Sequence, residues 1–270
     1  MDNSRKIEGF ENRRVLPLQK GNIYGPVKSR RLGSSLGLNL LPRSYKLCSF
    51  NCIYCQYGLN PPQSPDMVSA LYDELPTVSA IKKAILAALA SLREKIDYIT
   101  FSGNGEPTLH PDFPAIVEVV RDIRDRYASH VKLAILSNST TINKPEMVEA
   151  LMQLDTPIMK LDAGSEKLYK RINRPAGGVD FNKIVEGLIE FNHPNLIIQA
   201  LIMGGPDLNA SDDNIIKWAS LLEKIKPVEV QIYSLDRPPA RPDIIKLSRK
   251  ELEEIAGRAS ELSGVPVRAF

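Results

Sequence analysis

Residues 46–58 read Lys46-Leu47-Cys48-Ser49-Phe50-Asn51-Cys52-Ile53-Tyr54-Cys55-Gln56-Tyr57-Gly58 and contain all three cysteines of the 270-residue chain. An odd number of cysteines packed this closely excludes a disulfide framework and indicates metal ligands. Thiolates suit zinc or iron–sulfur clusters. Structural zinc takes four protein ligands, and the nearest histidine, His110, is 55 residues beyond Cys55. Three thiolates instead match a 4Fe–4S cluster whose fourth iron stays open for a substrate or cofactor.

The cysteine spacing resembles, position by position, the C-x3-C-x-aromatic-C signature of the radical S-adenosylmethionine (SAM) superfamily. The resemblance implies that Cys48, Cys52 and Cys55 ligate one 4Fe–4S cluster and that Tyr54 contacts the cofactors. It further implies that SAM binds the open iron, and that the reduced cluster cleaves SAM to methionine and a 5′-deoxyadenosyl radical. An electron donor such as flavodoxin or ferredoxin is then the expected protein partner.

Two further segments resemble SAM-binding loops of this superfamily. Gly103-Asn104-Gly105-Glu106 follows a predicted strand and is similar to the family's Gly-Gly-Glu loop, although Asn104 is inserted between the glycines. Glycines allow close backbone approach to a ligand, and the Glu106 carboxylate suits the SAM ammonium. By the same resemblance, Ser137 and Asn138 contact the SAM ribose or carboxylate; the alternative is that each only caps the following turn.

Short apolar runs alternate with amphipathic helical patterns along the chain, which indicates βαβ units and a parallel sheet. Six runs are predicted as strands: residues 35–41, 98–101, 131–137, 158–162, 196–203 and 228–233. Six strands are too few for a closed eight-stranded barrel. Together with the resemblance, they predict an α/β fold: a partial, open (β/α)6 barrel at 25–235. A basic N-terminal extension at 1–24 and a C-terminal loop and helix at 236–270, packed on the barrel, complete the expected organisation.

Polar residues alternate with apolar ones along several predicted strands, which predicts a polar barrel interior. Lys160 and Asp162 share one strand face, and Gln199 and Gln231 lie on the corresponding faces of later strands. Burying an ammonium is costly unless it is paired. One interpretation is therefore a structural Lys160–Asp162 pair. The other is a catalytic role toward substrate, either by binding an anion or through a Schiff base at a lysine whose pKa is lowered by desolvation.

The distribution of charge along the sequence indicates which partners the protein can bind. Residues 1–46 hold ten Lys/Arg and three Asp/Glu, a net charge of +7 in a chain of net +3. A basic segment can bind RNA or another anion, together with Arg171 or Arg174; a solvated extension is the simpler alternative.

No apolar run approaches the roughly 20 residues that span a bilayer, and no signal-peptide core is present. We expect a cytoplasmic protein with no membrane partner.

The segments around 25–33, 161–164 and 171–175 are similar to the group related to tRNA wyosine-base synthases. Those synthases carry further cysteines for a second cluster, which this sequence lacks. The leading hypothesis is therefore a radical SAM enzyme with one cluster, acting on an unidentified substrate that includes an RNA base among its candidates. The alternative is a non-enzymatic module in which Cys48, Cys52 and Cys55 form a structural metal site and the basic arm contacts RNA.

Overall fold

The computed structural model describes residues 16–59, 62–65, 68–236 and 244–270. Eight strands form one sheet in the order β1 to β8, in which β1 is antiparallel to β2 and all later neighbours are parallel. The strands are β1 (Ile23–Ser29), β2 (Gly33–Leu38), β3 (Tyr98–Phe101), β4 (Lys132–Ser137), β5 (Thr156–Lys160), β6 (Ile197–Leu201), β7 (Glu229–Tyr233) and β8 (Val267–Ala269).

Seven helices occur in the described residues, most of them between successive parallel strands. They are α1 (Val78–Ser91), α2 (Phe113–Tyr127), α3 (Pro145–Leu151), α4 (Glu166–Asn173), α5 (Phe181–Glu190), α6 (Asp212–Ile225) and α7 (Arg249–Ser263). Their starts follow capping chemistry: the Thr77 hydroxyl accepts a hydrogen bond from the backbone NH of Ala80, and Ser248 forms a capping box with Glu251. The open, mostly parallel α/β architecture is the fold expected from the sequence.

The main hydrophobic core lies between the sheet and the helices. Alternate strand residues such as Met159, Ile198 and Val230 pack there, fully buried, against helix residues such as Trp218. A smaller apolar cluster lies on the opposite face of the sheet, where Leu32 contacts Ala134 and Ile158. We call this opposite side the inner face.

The sheet curls so that its two ends approach each other across the inner face. Arg31, in the turn between β1 and β2, places its guanidinium carbon 4.5 Å from the ring centroid of Tyr233 at the end of β7. Next to it, Arg30 forms an ion pair with Asp236. Contacts between strands so distant in the sheet order require a curved, incompletely closed barrel.

All six predicted strands exist, but the sheet extends beyond the domain boundaries expected from the sequence. Strand β1 begins at Ile23, inside the segment assigned to an extension, and β8 lies in the C-terminal segment expected to provide only a loop and a helix. Two local features explain why the sequence pattern did not predict β1 and β8. Gly25-Pro26 falls where the β1–β2 register shifts, and β8 has only three residues. Residues 1–15 of the basic extension lie outside the described residues.

Polar side chains form a row on the inner face, as the alternation predicted. Lys160 pairs in register with Gln199, and Gln199 with Gln231. Both glutamines are more than nine-tenths buried. Lys160 is the last residue of β5, whereas Gln199 and Gln231 are the middle residues of β6 and β7. The row therefore begins at a carboxyl strand end, which is the end where α/β barrels place their functional sites.

Candidate active site

The loop that carries the cysteines is held by the backbone that follows α4. Asn51 donates its NH to the carbonyl of Asn173 at 2.9 Å, and Ile53 donates to Ile172 at 2.9 Å. In the opposite direction, Ala176 donates to the carbonyl of Ser49 at 2.9 Å. Residues 172–176, which overlap the segment noted in the sequence for its subgroup likeness and its arginines, therefore fix the backbone of residues 49–53.

The glycine loop after β3 holds the other end of the same segment. The NH of Leu47 donates to the carbonyl of Asn104 at 3.0 Å, and the NH of Glu106 donates to the carbonyl of Leu47 at 3.0 Å. Gly105 has φ +144°, and a Cβ there would come within 1.7 Å of the Leu47 carbonyl oxygen. Only glycine permits this conformation and this approach, so the loop positions the residue that precedes Cys48.

Cys48 lies where this loop meets the end of β4. The side-chain amide of Asn138 has Nδ2 3.6 Å from Sγ of Cys48 and 2.9 Å from Oγ of Ser49. The backbone NH of Asn138 donates to Oε2 of Glu106. The structure thus brings Cys48, Glu106 and Asn138 together, as the sequence motifs suggested.

Glu106 is buried and already accepts several bonds from the protein. Besides Asn138, its Oε1 accepts from the NH of Thr108 at 3.1 Å and from the Thr108 hydroxyl at 2.8 Å. Burial raises the pKa of Glu106, and these hydrogen bonds oppose that rise. At Ser137 the hydroxyl accepts from the NH of Ser139 at 3.1 Å, which is the turn-capping contact weighed as its alternative role.

Asn104 has its side chain turned to the N-terminal segment. Its Nδ2 donates to the carbonyls of Gln19 at 2.9 Å and Pro42 at 2.8 Å, and its Oδ1 accepts from the NH of Gln19 at 2.7 Å. These contacts use both N–H donors of the amide and one acceptor position of its oxygen. The observed role of the Asn104 side chain is therefore to attach residues 19 and 42 to the glycine loop.

Asp162 is the centre of a second buried network. Its side chain is fully buried and accepts bonds from the Tyr54 hydroxyl, from Nδ2 of Asn173 at 2.7 Å and from the NH of Leu201 at 3.0 Å. Nζ of Lys160 lies 3.5 Å from Oδ1 of Asp162, the oxygen that also accepts the bond from Leu201. The same Asn173 amide has Nδ2 3.4 Å from Sγ of Cys52. A carboxylate so enclosed positions its neighbours and has no room to contact substrate.

Lys160 forms the expected pair with Asp162, but its pKa is not lowered. Burial is the largest single influence on the lysine pKa and opposes the charge on Lys160. Asp162, Tyr233 and Cys52 nearby together outweigh burial and raise the lysine pKa. The side chain of Lys160 retains 18% exposure. Its Nζ atom also lies 5.3 Å from the ring centroid of Tyr54. The structure therefore corrects the expectation of a lowered pKa and gives a charged ammonium at neutral pH.

Cys55 has a cationic neighbour that sequence reasoning did not single out. Nζ of Lys46 lies 3.8 Å from Sγ of Cys55 and 3.1 Å from the carbonyl oxygen of Gly58. Lys46 is only 4% exposed. The sequence pattern likewise did not predict Asn173 and Thr108 as site residues. Lys46 is adjacent to the cysteine motif and Asn173 lies in the segment 171–175, but nothing in the local sequence marked Thr108.

Burial raises the pKa of two of the cysteines, Cys48 and Cys52. Burial, with Cys52 and Glu106 nearby, raises the pKa of Cys48. Burial and the Asp162 carboxylate raise the pKa of Cys52 to about 11. Ligation of a metal centre requires thiolates, so binding must release protons here.

The residues present fit an iron–sulfur cluster. Each cysteine Sγ has a side-chain N–H donor, which is the surrounding that cluster sulfurs receive in proteins. Over the described part of the chain, no group of three His, Cys, Asp or Glu side chains is arranged around a single metal ion. A cluster spreads its cysteine ligands over several irons, so it suits these thiols better than one ion does.

Comparison with known proteins decides the family. The family model described as the radical SAM superfamily matches residues 43–219, which include the cysteine loop, the glycine loop and strands β3 to β6. The chain belongs to the radical SAM superfamily. It is accordingly a radical SAM enzyme whose cofactors are a 4Fe–4S cluster and SAM, as the resemblance implied.

Curated relatives of this radical SAM protein cover most of its length. It is 35% identical over 233 residues to a UPF0026 protein of Helicobacter pylori, covering 85% of this chain and 71% of that protein. It is 32% identical over 247 residues to a protein of Brachyspira hyodysenteriae named GTPase Obg, covering 90% of this chain. The chain spans only 34% of that second protein's length.

Solved structures with similar folds are more distant in sequence. A radical SAM methyltransferase from Sphaerobacter thermophilus aligns over 88% of this chain and 66% of its own, with a TM-score of 0.65 and 15% identity. A structure of TYW1 with a lysine–pyruvate adduct aligns over 86% of this chain and 76% of its own, with a TM-score of 0.55 and 18% identity. At these identities the likeness concerns the fold.

The remaining sequence expectations concern partners. Arg171 and Arg174 are exposed at the end of α4, where Arg171 pairs with Asp207 at 3.2 Å. Within the described ranges, no helix is both long and apolar enough to cross a membrane.

Proposed function

We propose that the chain uses one 4Fe–4S cluster, held by Cys48, Cys52 and Cys55, to cleave SAM reductively and begin radical chemistry on a substrate at the inner face of the barrel. The observation that carries the proposal is that Lys46, Asn138 and Asn173 each direct one N–H donor at a different cysteine sulfur. When bound, the cluster and SAM supply the electron transfer and the radical. The 270 residues contain no cysteine for a second cluster.

We place SAM beside Cys48, between the glycine loop and the end of β4. Gly103 and Gly105 pack closely against Asn39 and Leu47, which fixes the shape of the loop, and Glu106, Ser137 and Asn138 are the polar groups that meet there. Asn104 contributes by positioning the loop, since its side chain is committed to residues 19 and 42. Tyr54 lies on the Cys52 side, where its hydroxyl bonds to Asp162.

For the substrate we propose a polar, anionic molecule bound along the inner row. Lys160 supplies the ammonium, and Asp162 acts as its positioning residue. Within the described ranges, Nε2 of Gln199 and Oε1 of Gln231 are buried without a hydrogen-bond partner, as is Nη1 of Arg31. Buried polar atoms are seldom left unpaired. A ligand with an acceptor for Gln199, a donor for Gln231 and a negative charge for Arg31 and Lys160 would supply the missing partners.

RNA is one anionic substrate that this proposal allows. Its phosphates would engage the basic residues of 1–46 and the exposed Arg171 and Arg174, and binding would fall steeply with salt. A radical SAM enzyme also needs a reductant, and we propose flavodoxin or ferredoxin as the donor. A cytoplasmic location stays a prediction.

The test is anaerobic reconstitution with iron and sulfide, followed by measurement of SAM cleavage with dithionite as reductant. We expect about four irons per chain, as one cubane requires, and release of 5′-deoxyadenosine. Each of the variants Cys48→Ala, Cys52→Ala and Cys55→Ala should lose cleavage. Stoichiometric zinc in protein purified without air, with no cleavage after reconstitution, would instead support the structural metal module.

A further inference from the structure

Among the residues that the structure describes, Lys46 is a buried cation without a carboxylate partner. Lys46 lies two positions before Cys48, and its side chain folds back to the far end of the cysteine loop. There Nζ contacts Sγ of Cys55 and the carbonyl oxygen of Gly58. In the described part of the chain, no Asp or Glu oxygen lies within 4.0 Å of Nζ. Lys160, by contrast, has Asp162 at 3.5 Å.

An unpaired buried ammonium is expensive, because the charge loses its hydration and gains no compensating anion. The two contacts of Nζ, to the Cys55 sulfur and to one carbonyl oxygen, compensate only a small part of that loss. A thiolate bound to an iron–sulfur cluster would compensate much more, since the cluster with its three thiolates is anionic. The position of Lys46 is therefore explained by the bound cluster.

The three N–H donors are chemically unequal. Asn138 and Asn173 offer neutral amides to Cys48 and Cys52, at 3.6 Å and 3.4 Å. Lys46 offers the only full charge of the three, to Cys55 at 3.8 Å. Each electron added makes a cluster more negative by one unit, so a nearby fixed cation favours the reduced form. Net charge and hydrogen bonds at the sulfurs are the quantities that set cluster potentials.

We propose that Lys46 is a positioning residue that tunes the cluster: its ammonium beside Cys55 stabilises the reduced state and raises the reduction potential. The inference rests on the proposed function, because it requires a cluster at the three cysteines. The electron comes from the external one-electron donor, and no bond to Lys46 is made or broken.

The experiment is an EPR-monitored redox titration of the reconstituted cluster in four proteins: wild type, Lys46→Met, Lys46→Arg and Lys82→Met. Methionine removes the charge and nearly preserves the length, arginine preserves the charge, and Lys82 is an exposed lysine of α1 that serves as the control. Iron content is measured on each sample. We expect Lys46→Met to shift the midpoint potential to lower values at full iron content, while Lys46→Arg stays closer to wild type and Lys82→Met matches it.

An unchanged potential in Lys46→Met at full iron content would overturn the inference and leave the proposed function intact. Loss of iron from Lys46→Met would be followed by Lys46→Gln, which keeps a donor for Gly58. If Lys46→Gln holds the cluster at a lower potential, the inference stands; if it also loses iron, the charge serves assembly and tuning is refuted. Failure of the wild-type protein itself to form a cluster would refute the proposed function.

Discussion

The Nδ2 atom of Asn173 lies 3.4 Å from the Sγ atom of Cys52, although 121 residues separate them in the chain. The same atom is 2.7 Å from Oδ2 of Asp162. One amide thus links the cysteine loop to the end of β5, and with it to Lys160 and the inner row. The Asn173 side chain therefore connects the cysteine loop directly to the inner face on which we place the substrate.

Removing this amide should weaken the whole protein. We expect Asn173→Ala to lower the free energy of unfolding by about 1–3 kcal/mol, because the buried Asp162 carboxylate loses one donor. Urea denaturation of the cluster-free protein measures it. Asn182→Ala, at an exposed position of α5, is the matched control and should change stability little. Equal stability of the two variants would show that the Asn173 amide contributes nothing measurable.

Adding a methyl group at Gly105 should displace the cysteine loop. A Cβ at Gly105 would lie 1.7 Å from the carbonyl oxygen of Leu47, whereas at Gly177 it would meet no atom within 4 Å. We expect Gly105→Ala to lose most of its iron after reconstitution and Gly177→Ala to retain it. Iron analysis and the visible absorption of the cluster report the result. Full incorporation in Gly105→Ala would mean that the loop can shift without affecting Cys48.

The Lys160–Asp162 pair should show strong coupling. Asp162→Asn leaves the ammonium without its counter-charge, and we expect a loss of about 3 kcal/mol, as for a broken buried pair. Lys160→Met/Asp162→Asn should lose less than the sum of the single changes. Additive losses in this double-mutant cycle would show that the two side chains act independently.

The pH dependence of this pair follows from the raised lysine pKa. A group whose pKa is raised on folding stabilises the protein fully below its unfolded value, and that contribution is lost as pH rises through the folded value. The stability difference between wild type and Lys160→Met should therefore be constant from mildly acidic pH to about pH 10, the ordinary lysine value, and shrink above it. A difference that already falls near neutral pH would contradict the raised pKa.

Lys160 should not form a Schiff base at neutral pH. Imine formation needs the unprotonated amine, and Asp162 keeps Lys160 charged. Incubation with pyruvate and cyanoborohydride at pH 7, followed by peptide mass spectrometry, should give no more adduct at Lys160 than at the exposed Lys82. Selective labelling of Lys160 would restore the covalent interpretation of this lysine.

The sequence alone predicted the three cysteines as cluster ligands and the fold class as α/β. Cys48, Cys52 and Cys55 lie within one short loop, so their spacing is a local property that the chain displays directly. The alternation of Lys160 and Asp162 likewise predicted a shared inner face, because side chains of a strand point to one side at every second residue. The strands β1 and β8 were not predicted, because Gly25-Pro26 interrupts the pattern of β1 where its register shifts and β8 has only three residues.

Only the tertiary structure decided what surrounds those ligands. The meeting of Asn173 with Cys52, and of Asn138 with Cys48 from 90 residues away, depends on how distant strands and loops pack. Of the two interpretations of Lys160, the structure supports the pair with Asp162 and not the lowered pKa that the covalent interpretation required, for the same reason. Desolvation alone lowers the lysine pKa, but a fully buried carboxylate at 3.5 Å, together with Tyr233 and Cys52, reverses the sign. Such balances between desolvation and pairing are set by three-dimensional distances, which no spacing along the sequence contains.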